Sequence, residues 1–456
     1  MLKSLLARLR GARPVAAPDT RKEFDDLNRK APLRGEAGAQ AHAETPGADT
    51  FLCREAVLGR DQRIAGYQFM LREGTRGRIR NSSRVVHHVY AEVLVRNLLQ
   101  SNIGGLLGHR HAYLDLPDSF LAHPCLRDLP PANTVLVIEH LGGSGAPAPE
   151  TLLEQVRDLR AEGFRIAIPD PDIVTELAHL LPEVDAVVLR ALAIDPERNR
   201  QRKVKLAQLS GHTDMLVREL TTMEHLGLCM NLGVALFQGP FVTSREDWHD
   251  NKLRPDVARL AILLGRLRQD ADTAEIVTLT KQNPALSLRL LRYINSAASG
   301  LPTKVASIEG ALQLLGRDKL YRWLMIMFCS TNEAHGRSAA ALESALVRAR
   351  MMELLAAKSA PTQQEALFLT GLLSLADVVL QVPLERAIAP LGLSAEIEDA
   401  ILRRSGPHAA LLELVIACET AQAEQIDSAA QRCGITPASA STRHIEALGW
   451  ALGTLL

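Results

Sequence analysis

The stretch from Ile166 to Asp172, "IAIPDPD", ends an apolar run in two aspartates, Asp170 and Asp172, and puts a proline before each. Carboxylates delivered at the carboxyl end of a buried parallel strand are a common way to hold a divalent ion. Proline has no side-chain donor, so Pro169 and Pro171 either stiffen the loop of a working site or mark where ligands have gone. Other motifs could carry chemistry. His87 with His88, and His109 with His111 in "HRH", could ligate a metal, but no partner cluster accompanies them and surface or half-buried histidines explain them as well. "GGSG" at 142–145 falls between a strand pattern and a helix pattern, where a phosphate cradle would sit. It lacks the following lysine and has Pro147 and Pro149 close by, which reads as a flexible loop.

The elements that must position these residues fall into two kinds. Up to about Val242 the runs "HAYLDL", "TVLVIE", "FRIAI", "DAVVLR", "MLVRE" and "GVALFQG" read as strands, and amphipathic stretches such as "PETLLEQVRDLRAEG" alternate with them. That alternation predicts a mainly parallel sheet closed into an α/β barrel, with function at the carboxyl ends of the strands. From about Trp248 the pattern is helical only. Asn283 caps "PALSLRLLRYINSA" with Pro284 in the first turn, and Ser307 and Gly316 bound "IEGALQLLG". "LYRWLMIMF" and "ALFLTGLLSLADVVL" are apolar nearly all round and predict buried helices of a bundle, with Trp323 and the Met325 stripe in its core. The expected organisation is a disordered tail over 1–48, a barrel over 49–247 and a helical domain over 248–456.

Composition narrows the function classes. Lys+Arg and Asp+Glu stand at 52 each, so no basic surplus argues for nucleic acid. Cys53, Cys125, Cys229, Cys329, Cys418 and Cys433 are scattered without metal-binding or disulfide spacing and read as small core residues of a reducing, cytoplasmic protein. No apolar run is long enough to span a bilayer. The first ten residues, with Leu2, Leu5, Leu6 and Leu9 among basic residues, have the pattern of a short interfacial helix but not of a signal peptide.

The ordered set "FLCREAVLGRDQRIAGYQFMLR", "GFRIAIPDPD", "VDAVVLRA" and "LFQGPF" resembles an EAL domain, the barrel that hydrolyses cyclic di-GMP. "NPALSLRLLRYINSA", "ASIEGALQLLGRDKLYRWLMIM" and "ALFLTGLLSLAD" resemble an HDOD domain, a helical relative of HD phosphohydrolases. The resemblance is to bacterial two-domain EAL-HDOD signalling proteins. It puts the motif glutamate that ligates metal on Gln68, a weaker ligand for a hard ion. An asparagine ligand falls on Asp115, which could still coordinate, and Glu139 keeps a glutamate. The paired aspartates fall on Pro169 and Asp170, and a lysine and an aspartate fall on Val188 and Arg190. Glu219 matches a later acidic position with ambiguous spacing. In the helical half, the His-Asp doublet falls on Ser374 and Leu375, and "ESALVRARMMELLA" offers no histidine. Asp377 reads as a polar position in the bundle.

These departures predict no catalytic residue, no metal and no cofactor. Enzymatic hydrolysis needs about 8–23 kcal/mol of barrier reduction, much of it supplied by metal ions in two-metal sites. The expectation is a non-catalytic signalling scaffold whose helical domain contacts other signalling proteins while the barrel modulates that surface or forms a homodimer. The alternative is a cyclic di-GMP receptor binding weakly through Arg72, Asp115, Glu139, Asp170 and Gln238 without cleavage. An active phosphodiesterase is the remote third.

Overall fold

The computed structural model describes residues 52–71, 83–101, 103–143, 145–191, 197, 200–201, 213–295, 305–330, 336–420 and 423–455. The expected tail over 1–48 and the phosphate-contacting candidate Arg72 lie outside them. Eight strands close a barrel in sequence order: β1 Leu52–Leu58, β2 Ile64–Leu71, β3 His111–Pro117, β4 Thr134–Glu139, β5 Arg165–Pro169, β6 Ala186–Arg190, β7 Asp214–Arg218 and β8 Leu236–Gln238. Strand β1 runs antiparallel to both β2 and β8, and all other neighbours are parallel.

Strand periodicity decides what each face carries. Val57, Tyr113, Val135, Val137, Ala167, Ala186, Val188 and Leu216 turn inward and fill the barrel. Two residues along, the same alternation turns Glu55, Asp115, Glu139, Pro169, Arg190 and Arg218 toward the mouth. Around the barrel, α1 (Arg84–Gln100), α2 (Pro149–Ala161) and α3 (Met223–Asn231) follow strands. Helix α2 shows why: Pro149 opens it, Glu150 and Arg160 complement its dipole, and Leu152, Val156 and Leu159 form its buried stripe.

The remaining chain is helical: α4 Pro255–Arg268, α5 Thr273–Lys281, α6 Pro284–Ile294, α7 Ile308–Ser330, α8 Gly336–Leu355, α9 Pro361–Leu373, α10 Ala376–Leu380, α11 Ala409–Thr420, α12 Ala423–Cys433 and α13 Pro437–Leu455, with shorter turns between. Among the described residues no helix is long and apolar enough to cross a membrane. The described chain divides into two compact units, one of residues 258–326 and one that joins the barrel to residues 327–456. In the first, the Asn283 side chain accepts from Leu286 N at 3.1 Å, as its capping role requires. Gly316, with φ of 72°, breaks α7 into two helical runs, so the expected stop is followed at once by a restart.

In the second unit α8 is buried along almost its whole length, charged residues included. Its small side chains let other backbone come close. A Cβ at Gly371 of α9 would meet Ala349 N at 2.5 Å, and one at Gly336 would run into the Asp61 backbone of the β1–β2 turn. Cys53, Cys229, Cys329 and Cys418 are buried, whereas Cys125 and Cys433 are only partly so, because they fall at the edges of short helices rather than on a core face.

Candidate functional site at the barrel mouth

The mouth is held by a chain of hydrogen bonds among residues from five strands. Arg218 at the end of β7 grips Asp115 of β3 with both terminal nitrogens, Nη1 to Oδ2 at 2.8 Å and Nη2 to Oδ1 at 2.9 Å. Gln68 of β2 donates to the same Asp115 Oδ2 at 2.7 Å. Gln238 of β8 donates from Nε2 to Gln68 Oε1 at 2.5 Å and to Glu55 Oε2 of β1 at 2.7 Å. Arg218 and Asp115 keep only 13% and 9% of their side-chain surface, so this bidentate pair is held largely out of water. Arg218 Nε and Gln238 Oε1 are buried without hydrogen-bond partners.

The sequence-derived candidates distribute unevenly over this site. Gln68, Asp115 and Gln238 meet directly. Asp115, a residue type that could coordinate a metal, has both oxygens engaged by Arg218. Asp170 is buried and shapes its own loop: its Oδ1 accepts from Asp172 N at 3.1 Å and its carbonyl accepts from Ile173 and Val174. Pro169 sits opposite Val188 in the β5–β6 register, and Val188 packs with the barrel interior. Glu139 ends β4, partly buried. Arg190 is 63% exposed and faces Glu219 at 3.7 Å. Glu219 has φ of 66° and turns to the rim, so the inward position of this strand end belongs to Arg218.

A divalent ion needs several oxygen donors with lone pairs to spare. At this mouth Pro169 donates nothing, Gln68 directs its amide NH₂ at Asp115, and a guanidinium already occupies the near side of that carboxylate. The residues present do not fit a metal there. Among the described residues no group of three or more His, Cys, Asp or Glu is arranged to hold one. His88 and the glycine loop come together elsewhere on the barrel: Arg84 bonds Asp118, Ser119 and the Leu141 carbonyl beside that loop, His140 Nδ1 lies 2.9 Å from Asp118, and His88 Nε2 lies 2.7 Å from Ser119.

The helical positions form a second polar pocket. Ser374, buried at the end of α9, donates to the Gly371 carbonyl at 2.7 Å and accepts from Arg348 Nη1 of α8 at 3.2 Å. Arg348 Nε donates to Glu419 of α11 at 2.6 Å. Leu375 is buried, and Asp377 pairs with Arg245 at 2.7 Å. Burial pushes the Asp377 carboxyl up, and Arg245 pulls it back. Arg348 lies on the helix that carries no histidine.

Residues 255–402 match the HDOD domain model. The chain is 23% identical over 405 residues to the cyclic di-GMP phosphodiesterase CdgJ of Vibrio cholerae, covering 88% of this chain and 92% of that protein. It is 24% identical over 375 residues to the uncharacterised protein YuxH of Bacillus subtilis, covering 80% and 89%. Among solved structures it is similar to Bacillus subtilis YkuI, with an EAL domain, in complex with cyclic di-GMP and calcium (14% identity, 60% of this chain and 74% of that one, TM-score 0.37). A standalone EAL protein of Vibrio cholerae O395 with cyclic di-GMP bound matches at 14% identity over 43% and 91%, TM-score 0.34. The chain carries an HDOD domain at residues 255–402, preceded by a closed eight-stranded barrel.

Proposed function

We propose that this protein is a non-catalytic regulator in cyclic di-GMP signalling, which works in the cytoplasm through contacts of its helical half with other signalling proteins. The observation that carries this reading is the Arg218–Asp115 pair. A fixed guanidinium stands against the carboxylate that would have to ligate a metal, and it repels a divalent cation as well as occupying the carboxylate's lone pairs. Gln68 and Pro169 supply no replacement charge. The likeness to the cyclic di-GMP phosphodiesterase CdgJ supports the signalling context of this reading.

The test is turnover of cyclic di-GMP by the purified full chain with Mg²⁺ or Mn²⁺. The expected result is none, and Gln68→Glu alone does not restore it because Arg218 still holds Asp115. Metal-dependent turnover that is lost on Glu139→Gln would overturn the reading. Calorimetric titration with cyclic di-GMP separates a scaffold from a receptor. A micromolar complex needs about 8 kcal/mol, and a single arginine clamp contributes roughly 1.5–3 kcal/mol. Binding no tighter than roughly ten micromolar is expected, and a submicromolar constant would make the barrel a receptor.

A further inference from the structure

Strands β1 and β2 are a two-sided plate. Their inward residues Glu55 and Gln68 belong to the mouth network. Their outward neighbours, Arg54 and Tyr67, are just as buried, beneath the helices of the same unit. The Arg54 guanidinium lies over the Tyr67 ring, 4.7 Å from its centre, and Arg110 Nη1 donates to Tyr67 Oη at 3.2 Å. Arg110 also pairs with Glu343 Oε2 of α8 at 2.8 Å. Arg54 acts electrostatically on both Glu343 and Glu419, and Glu419 is the carboxylate that receives Arg348 beside Ser374. Helices α11 and α13 pack on β1 as well, with Leu52 N donating to Ser441 Oγ at 3.1 Å.

We propose that the barrel mouth and the Ser374–Asp377 pocket are conformationally coupled through this line, from Gln68 and Glu55 across β1–β2 to Arg54, Arg110 and Glu343, and along α8 to Arg348. A rearrangement of the mouth network repacks α8, and a partner that shifts α8 resets the mouth. The cluster has the incomplete pairing a second arrangement needs: Arg54 Nε, Glu343 Oε1 and both ring nitrogens of His444 are buried without hydrogen-bond partners. Strand alternation makes the linkage mechanical. Arg54 and Glu55 share a peptide bond, as do Tyr67 and Gln68, so neither face moves without the other. The proposal goes beyond the assigned function and holds whether or not the mouth binds a nucleotide.

Coupling between sites is reciprocal, which sets the experiment. Hydrogen–deuterium exchange of the full chain is measured for wild type, Gln68→Leu, Glu343→Gln and Arg190→Ala. Gln68→Leu should speed exchange across 336–355 by about fivefold or more, and Glu343→Gln should do the same across 64–71, a factor of ten corresponding to about 1.4 kcal/mol. Arg190→Ala, at the exposed rim on β6, should leave 336–355 unchanged. If Gln68→Leu does not fold, Glu55→Gln replaces it with the same expectation. Changes confined to the mutated face, or equal speeding by Arg190→Ala, would overturn the coupling.

Discussion

The barrel mouth and the Ser374–Asp377 pocket are built from different elements, one from strand ends and the other from packed helices, yet an arginine sits at the centre of each. Arg218 holds Asp115 at the mouth, and Arg348 bridges Ser374 and Glu419 in the helices. The surroundings differ. Arg218 is 13% exposed at an open rim, while Arg348 is 6% exposed on a helix buried along nearly its whole length. The difference teaches that a guanidinium can occupy a polar centre in either setting, but with unequal consequences when it is removed. Without Arg348 the fully buried Ser374 and the 19% exposed Glu419 both lose their cation, whereas without Arg218 the 9% exposed Asp115 still accepts from the Gln68 amide.

The largest expected effect follows. Arg348→Ala leaves Glu419 without its partner and Ser374 without a donor, and breaking a buried pair costs about 3–5 kcal/mol. Arg218→Ala should cost about 1–3 kcal/mol, because the Gln68 amide still donates to Asp115. Denaturant midpoints of the two variants measure this. Equal losses would mean that the Gln68 amide does not compensate Asp115 for the lost guanidinium. Replacing both partners, Arg218→Met with Asp115→Leu, should recover most of the mouth's loss, since no unpaired charge remains.

Next comes the backbone packing beneath each centre. Gly371→Ala drives a Cβ into the α8 backbone at Ala349, and neither helix can shift alone, so a loss of about 1–3 kcal/mol is expected. At the mouth, Gly239 has φ of 149°, and its Cβ would meet the Leu220 carbonyl at 2.2 Å. Gly239→Ala should cost a similar amount, with strain added to the clash. Thermal midpoints that fell for one glycine only would show that the other region yields.

How much of this was legible in the sequence depends on range. The alternation of strand and helix, the caps at Asn283 and Ser307 and the substitutions at Gln68, Pro169 and Val188 all lie in short segments and can be read there. Arg218 was not found, because "MLVRE" is apolar through its middle and period two cannot choose which face of such a strand turns inward. Its acidic neighbour Glu219 is the residue that the resemblance selects, and the structure turns it to the rim. Arg348 escapes for a related reason: the resemblance implies a histidine on that helix, not the cation that stands in its place. The Arg54–Arg110–Glu343 cluster joins segments far apart in the chain, and no local pattern announces that pairing.

The cluster between the two regions also titrates. Burial pushes the Glu343 carboxyl up to about 7 against the pull of Arg54, so the folded chain keeps a proton there that the unfolded chain has lost. Its contribution favours the fold at low pH and is lost as pH rises through about 7. His444 runs the other way. Burial and Arg54 hold it down to about 3, so the unfolded chain binds the proton first, and stability from this group is lost as pH falls below the ordinary imidazole range. The slopes of these two groups oppose and largely cancel between about pH 4.5 and 6.5. In Glu343→Gln the midpoint should rise with pH over that window, and in His444→Gln it should fall. Parallel profiles for the two variants would show that these groups do not carry the dependence.

The smallest expected effect tests the contrast between rim and interior. Arg190 and Glu219 form the outermost ion pair of the mouth, 3.7 Å apart with 63% and 53% of their side chains exposed. At that exposure the Coulomb gain is screened and is offset by the entropy of holding two long side chains together, so pairs of this kind contribute about 0.2–1 kcal/mol. Arg190→Ala should therefore shift the denaturant midpoint by the equivalent of no more than about 0.5 kcal/mol, in contrast to Arg218→Ala one strand away. The ladder places Arg190 opposite Arg218, so removing it also relieves a repulsion between like charges, and a slight gain in stability is an equally direct outcome. A loss as large as that of Arg218→Ala would mean that the rim pair closes over the mouth and shields the Asp115 clamp from water, and the line between rim and interior would then have to be drawn outside Arg190.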